Sequence, residues 1–179
     1  LLMSVSDLST STQNYLKAVW GLKEWSSEPV TATLIAKQLG LKLSSVSDAV
    51  RKMAKQGLVS HTPYGSVELT ELGRQYALVM VRRHRLLESF LVQALGYTWD
   101  EVHNEAEDLE HAVSDMLIER VDKFLDYPTR DPHGDPIPTV DGQITIPSAH
   151  RLTDSSAQSQ VTVERISCLL YTSDAADER

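Results

Sequence analysis

Between residues 31 and 70 the chain spells two short amphipathic helices hinged on a glycine, then two β-prone runs, and few folds accept that order. Thr31–Leu39 reads as a helix closed by Gly40, which can take the left-handed conformation that ends helices. Ser44-Ser45 starts the next, whose buried stripe is Val46, Val50 and Met53 and which Gly57 stops. Ser45 and Asp48 stand three apart, as in a capping box with the shorter acid. Leu58–Thr62 and Ser66–Thr70 flank Pro63-Tyr64-Gly65, which is turn chemistry. Two helices joined by so short a turn form a helix-turn-helix, and a hairpin directly behind it makes a winged helix. A helical hairpin packed on a small sheet, with no role on DNA, is the alternative. Upstream, Ser9–Thr12 offers cap residues before Tyr15, Leu16, Val19, Trp20 and Leu22, one stripe of a further helix, and Met3 is a plausible start.

Beyond the hairpin the pattern is helical. Thr70 to about Leu95 carries Leu72, Tyr76, Met80, Leu87 and Leu91 at helical spacing, and Gly96 ends it. Thr98-Trp99-Asp100-Glu101 is a capping box for the next helix, and Ser114 caps another that carries Leu117, Ile118, Val121, Phe124 and Leu125. That is more apolar surface than so short a segment can bury alone, which predicts a homodimer. From Pro128 onward prolines and glycines make irregular chain, Leu152–Gln160 is linker-like, and Val161–Ile166 alternates as a single strand would. One strand is no domain, so the chain looks cut short or altered near Cys168.

The only cysteine is Cys168, so no intrachain disulfide forms and a reducing compartment is expected. No secretory signal is visible, and Leu86–Val92 is far too short to span a bilayer, so the expectation is a cytoplasmic protein. The net charge of −8 speaks against a nucleic-acid binder until the chain is divided after Arg85. The first part then holds eleven Lys and Arg against six Asp and Glu, the second six against nineteen. A basic half suits a polyanion and an acidic half suits cations. Arg82, Arg83 and Arg85 are read as phosphate contacts or as plain solvated charge.

The most specific run is His103-Asn104-Glu105-Ala106-Glu107-Asp108-Leu109-Glu110-His111. On a continuous helix His103, Glu107 and His111 share a face with Glu110 beside them, and His84 and Glu88 form a second i, i+4 pair. Inward imidazoles and carboxylates are how helical bundles hold divalent metals, and a set without thiolate favours manganese or ferrous iron. Asp100, Glu101 and Asp108 read as a solvated face, and His61, His133 and His150 as ordinary surface or turn residues. A metal-dependent hydrolase stays open, although no glycine-rich phosphate loop or nucleophile motif supports it. No small organic substrate is expected.

A winged helix, His84-x-x-x-Glu88, His103-x-x-x-Glu107-x-x-Glu110-His111 and Gly134-Asp135-Pro136-Ile137-Pro138, in that order, resemble the diphtheria toxin repressor family over roughly residues 10–140. The resemblance implies a mainly α fold: a winged-helix DNA-binding domain over 1–72, a helical metal-binding and dimerisation domain over 73–148, and a linker with a truncated β remnant of an SH3-like domain over 149–179. It implies a metal-activated homodimeric repressor of metal-uptake genes on a palindromic double-stranded DNA operator. It assigns Glu107, Glu110, His111 and Asn14 to a primary metal site, and His84, Glu88 and His103 to an ancillary one. Members of the iron type carry Cys where Glu107 stands and Met where Asn14 stands, whereas the manganese type carries Glu and Asp. Glu107 therefore favours Mn²⁺ with Fe²⁺ as the alternative, and Asn14, a neutral and weaker donor, fits neither pattern. At most two sites per chain follow, the ancillary one incomplete without the SH3-like domain.

The same resemblance brings Lys42, Ser44, Ser45 and Asp48 near DNA bases and Lys52 and Lys55 onto phosphate, with Arg51 on the same exposed side. Asp48 has a competing role as a cap. Two like-charged carboxylates, Glu107 and Glu110, repel until a cation joins them, and drawing position 14 to that cation would fix the spacing of two reading helices. A metal-buffering or plain interaction protein is the remaining alternative.

Overall fold

The computed structural model describes residues 4–24, 26–61, 65–150 and 152–166, mostly as helices. The chain divides into two compact units, one running through Val81 and the other beginning at Arg82.

The first unit opens with a 3-10 turn, Val5–Asp7, and continues through α1 (Thr10–Glu24), α2 (Ala32–Leu39), α3 (Leu43–Lys55), β1 (Val59–His61) and β2 (Val67–Leu69). The N-terminal part of α4 (Glu71–Leu95) completes it. Ser9 Oγ accepts from the Thr12 N–H, which is the cap expected there, and Thr31, read from the sequence as the first residue of its helix, instead caps α2 with its Oγ1 accepting from the Leu34 N–H. Gly40 sits at φ +64° and the Leu41 N–H returns to the Ala36 carbonyl, which stops α2 and turns the chain into α3. The expected cap at Ser45 and Asp48 is absent. Helix α3 already begins at Leu43, with Lys42 in the capping position, so Ser45 and Asp48 lie inside it and Asp48 pairs with Arg51 instead. The two strands pair antiparallel, Val59 opposite Leu69 and His61 opposite Val67. Leu16, Ile35, Val46, Val50, Met53 and Val67 meet in the core with Tyr76 and Met80 of α4.

The wing is fastened to α4 at one crowded point. Thr70 Oγ1 donates to the Gly57 carbonyl and accepts from the Gly73 N–H, and a Cβ on Gly73 would run into the Leu58 carbonyl. Backbone cannot yield as a side chain tip can, so Gly73→Ala is expected to destabilise the protein by about 2–3 kcal/mol, the upper range for overpacking. A chemical denaturation midpoint equal to wild type would contradict this.

The second unit contains the rest of α4, then α5 (Trp99–Leu109), α6 (Asp115–Phe124) and an irregular proline-rich segment. Leu86, Leu87, Leu91, Val102, Ala106, Ile118, Val121 and Ile137 form its core. Glu101 accepts from both the N–H and the hydroxyl of Thr98, and Ser114 Oγ accepts from the Leu117 N–H, as their spacing predicts. Val161–Ile166 forms no strand. Val161 and Val163 are exposed, and the segment instead lies along the loop at 131–135, with the Ile166 N–H on the His133 carbonyl and Arg165 on Asp135 at 3.2 Å. Met3, the Pro63-Tyr64 turn and Cys168 with its tail lie outside the described residues. Among those residues no helix is long and apolar enough to cross a membrane.

Candidate metal centre and DNA-reading helix

Helix α4 brings His84 and Glu88 one turn apart into the interior of the second unit, and α5 lays its acidic run against them. His84 Nδ1 stands 2.7 Å from Glu110 Oε2, and His84 Nε2 stands 2.9 Å from Glu88 Oε1 and 3.1 Å from His103 Nδ1. His103 Nδ1 lies 3.2 Å from that same Glu88 oxygen. Glu107 Oε1 is 3.9 Å from both imidazoles, and His111 Nε2 is 3.5 Å from Glu110 Oε1. Glu110 and Glu88 are almost wholly buried, at 0% and 2% exposure, which a carboxylate tolerates only with cationic or hydrogen-bonding partners.

The expected continuous helical face does not extend to His111. Helix α5 ends at Leu109, and Glu110 caps it because Ser114 must start α6 only a turn later. His84 links what the sequence divides into two sites. His84, Glu107 and Glu110 each offer a donor atom within 4.8 Å of the others, and so do His84, Glu88 and His103. Oxygen and imidazole donors without thiolate fit Mn²⁺ or Fe²⁺.

A third group, Glu88 with Asp131 and His133, also falls within 4.8 Å. His133 is buried, not the surface or turn residue its sequence context suggests; its Nδ1 is 3.6 Å from Glu88 Oε2, and its Nε2 is buried with no partner among the described residues. Burial pushes the Asp131 carboxyl up to about 7, helped by the nearby charges of Glu88 and Asp135 and opposed by Arg85. Burial also works to raise Glu88, but His84, together with hydrogen bonds from His103 and His133, holds it well below its ordinary value. The hydrogen bond to Glu88 in turn raises His133 against the effect of burial.

In metal-free protein, the raised Asp131 means that folding favours its protonated form. That contribution is complete below its unfolded value of 3.8 and is lost as pH rises through about 7. Asp131→Asn is therefore expected to flatten the fall in urea midpoint across that interval. An unchanged slope would contradict the assignment.

The three arginines of α4 neither solvate a surface nor stand ready for phosphate. Arg82 holds Asp122 at 2.6 Å and the Pro138 carbonyl at 2.7 Å. Arg83, 1% exposed, holds Asp115 at 2.6 Å and the Glu110 carbonyl at 3.3 Å. Arg85 donates to the Pro136 carbonyl at 2.6 Å. They clamp the second unit, and the charge division moves with them: the first unit keeps eight Lys and Arg against six Asp and Glu.

In the first unit α3 buries Val46, Val50 and Met53 and leaves Lys42, Ser44, Ser45, Asp48, Arg51, Lys52 and Lys55 all exposed. One helix thus has an apolar face in the core and a polar, largely basic face in solvent, the form of a helix that enters a major groove. Asn14, on α1, has its Oδ1 buried with no hydrogen-bond partner among the described residues.

Known proteins share both units. Residues 7–67 match the iron dependent repressor, N-terminal DNA binding domain, and residues 70–139 the iron dependent repressor, metal binding and dimerisation domain. The chain is 38% identical over 134 residues to the iron-dependent repressor IdeR of Mycobacterium tuberculosis, a match covering 75% of this chain and 58% of that protein. Among solved structures, it is 54% identical to a manganese-dependent transcriptional repressor in complex with manganese, with a TM-score of 0.84 over 88% of this chain and 72% of that one. The manganese regulator SloR is 41% identical, with a TM-score of 0.66 over 74% of this chain and 61% of that one. The chain thus spans under two thirds of the curated relative's length. The diphtheria toxin repressor of Corynebacterium diphtheriae is 36% identical over 137 residues, 76% of this chain and 60% of that protein. With both domains present in order and at this identity, the chain belongs to the iron-dependent repressor family.

Proposed function

We propose that this protein is a metal-responsive transcriptional repressor that works as a homodimer on a palindromic operator, with Mn²⁺ as its effector. The observation that carries the reading is the group His84, Glu107 and Glu110, three oxygen and nitrogen donors within 4.8 Å. Glu110 is buried and negatively charged when ionised, so a divalent cation would offset a charge that the fold has removed from water. His111 stands next to Glu110, and Asn14 enters as a further ligand by resemblance, its buried carbonyl oxygen having no hydrogen-bond partner among the described residues. Glu88, His103, Asp131 and His133 would hold a second ion.

Manganese is favoured by Glu107, which stands where the iron type has a thiolate, and by the manganese-dependent regulators among the similar structures. Iron is the second reading: three imidazoles, those of His84, His103 and His133, suit Fe²⁺ equally well, and the curated relative IdeR is named for iron. Titrating chelator-treated protein with Mn²⁺ and following the free-ion paramagnetic signal tests the reading. Saturable uptake of one or two ions per chain is expected, and no uptake at micromolar protein would overturn it.

The exposed face of α3 supplies the DNA contacts: Lys42, Ser44, Ser45 and Asp48 toward bases, Arg51, Lys52 and Lys55 toward the backbone. Small hydroxyls allow close approach to thymine methyls, and an aspartate accepts from cytosine. Asp48 is engaged with Arg51, so base contact requires that pair to open or to act together. Removing Lys52 is expected to flatten the dependence of log affinity on log salt by roughly 0.9 per chain bound, one phosphate's counterions. A slope identical to wild type would contradict the contact. No reaction is assigned to the chain.

A further inference from the structure

The first unit contains a cavity of about 240 Å³ that the proposed metal and DNA functions do not use, lying between α1, the segment before α2, and β2. Val19, Val30 and Val67 supply its apolar wall, Trp20 lines it with a ring, and Lys23 and Arg74 bring two cations to it. The Arg74 guanidinium lies 5.6 Å from the centre of the Trp20 ring, and no acceptor for its N–H groups is found among the described residues. Lys23 is exposed and, among the described residues, donates to the Ser27 carbonyl at 3.2 Å. Glu68, the carboxylate among the lining residues, is exposed and accepts from the Ser66 hydroxyl. The Trp20 indole N–H is buried and lacks an acceptor among the described residues. A buried donor in a native fold ordinarily has a partner, so this one points to an oxygen that the described residues do not provide.

We infer that the cavity between α1 and β2 binds a small amphipathic carboxylate, its apolar body among Val19, Val30 and Val67 and its carboxylate on Arg74 and Lys23. An apolar pocket with a few convergent polar groups is the usual build of a small-molecule site. Inorganic phosphate would leave the apolar wall unfilled. None of the lining residues belongs to α3 or to the metal-binding candidates, so the inference does not rest on the metal or DNA reading.

The full chain, labelled with ¹⁵N in its tryptophans and kept in chelator so that carboxylates cannot act through a metal, is titrated with hexanoate and separately with hexanamide. Trp20→Phe identifies the Trp20 indole signal among those of Trp20, Trp25 and Trp99. Hexanoate is expected to move that signal saturably, with a dissociation constant of about 1 mM or tighter and about 10-fold below that of hexanamide, the difference between a charge-assisted and a neutral hydrogen bond. Arg74→Gln, which leaves Lys23 in place, is expected to weaken hexanoate several-fold and to leave hexanamide unchanged. The inference is overturned if the Trp20 signal does not saturate by about 10 mM, the usual limit of weak specific binding. Equal affinities for acid and amide, unchanged hexanoate binding in Arg74→Gln, or movement of the Trp99 signal alone would also overturn it.

Discussion

Glu110→Gln is expected to lower Mn²⁺ affinity by at least about 100-fold, beyond the 10–100-fold typical of groups that merely orient a ligand. The substitution keeps the shape and one carbonyl oxygen but removes the charge, and Glu110 is the most deeply buried acid of the group. Its Oε2 lies 2.7 Å from His84 Nδ1, so the change also releases the imidazole that faces Glu88 on its other side. Metal-stimulated operator binding should disappear while the proposed dimer persists in sedimentation, because Glu110 is buried in the cluster, away from solvent, whereas Met116, Leu117 and Phe124 are exposed apolar side chains of the second unit. A variant that binds manganese as tightly as wild type would remove Glu110 from the ligand set. Loss of the dimer together with metal binding would instead mark Glu110 as a folding residue.

Arg82→Ala should be among the most destabilising single changes in the second unit. Arg82 and Asp122 are paired at 2.6 Å with side chains 11% and 12% exposed, and the same guanidinium holds the Pro138 carbonyl. Removing one member leaves a buried, uncompensated charge, at a cost of about 3–5 kcal/mol. At roughly 2–4 °C per kcal/mol for a chain of this size, the melting midpoint should fall by about 10–15 °C. The double change Arg82→Ala with Asp122→Ala should recover part of that loss, since no lone carboxylate then remains. Strictly additive single effects would contradict a coupled pair.

The periodic parts of this chain are legible because helices write their burial into the sequence. Val46, Val50 and Met53 on one side and Lys42, Lys52 and Lys55 on the other reveal α3 and its exposed face together. Glu101 and Ser114 mark helix starts because their side chains answer backbone N–H groups only a turn away. The same local logic misplaces the start of α3, where Leu43 continues the helix back past the candidate cap and Asp48 has Arg51 within reach.

What stays hidden depends on contacts between distant residues. His133 and Asp131 lie in a proline- and glycine-rich loop without periodicity, and only folding brings them beside Glu88. The paired spacing of Asp131 and His133, two residues apart near the Gly134-Asp135-Pro136 motif, is the one signal that could have raised them. Arg82, Arg83 and Arg85 resemble a surface basic run because a sequence does not show the carbonyls of Pro136 and Pro138 waiting fifty residues on. His111 falls off its helical face because Ser114 begins the next helix so soon.

The account depends on divalent metal controlling DNA binding, and fluorescence anisotropy on DNA selected from a random pool in the presence of Mn²⁺ tests it most directly. Affinity measured at one fixed salt concentration, with Mn²⁺ and then with excess chelator, should differ by at least about 30-fold, the equivalent of roughly 2 kcal/mol of coupling. Equal affinity in the two conditions, with manganese verified as bound, would contradict the account.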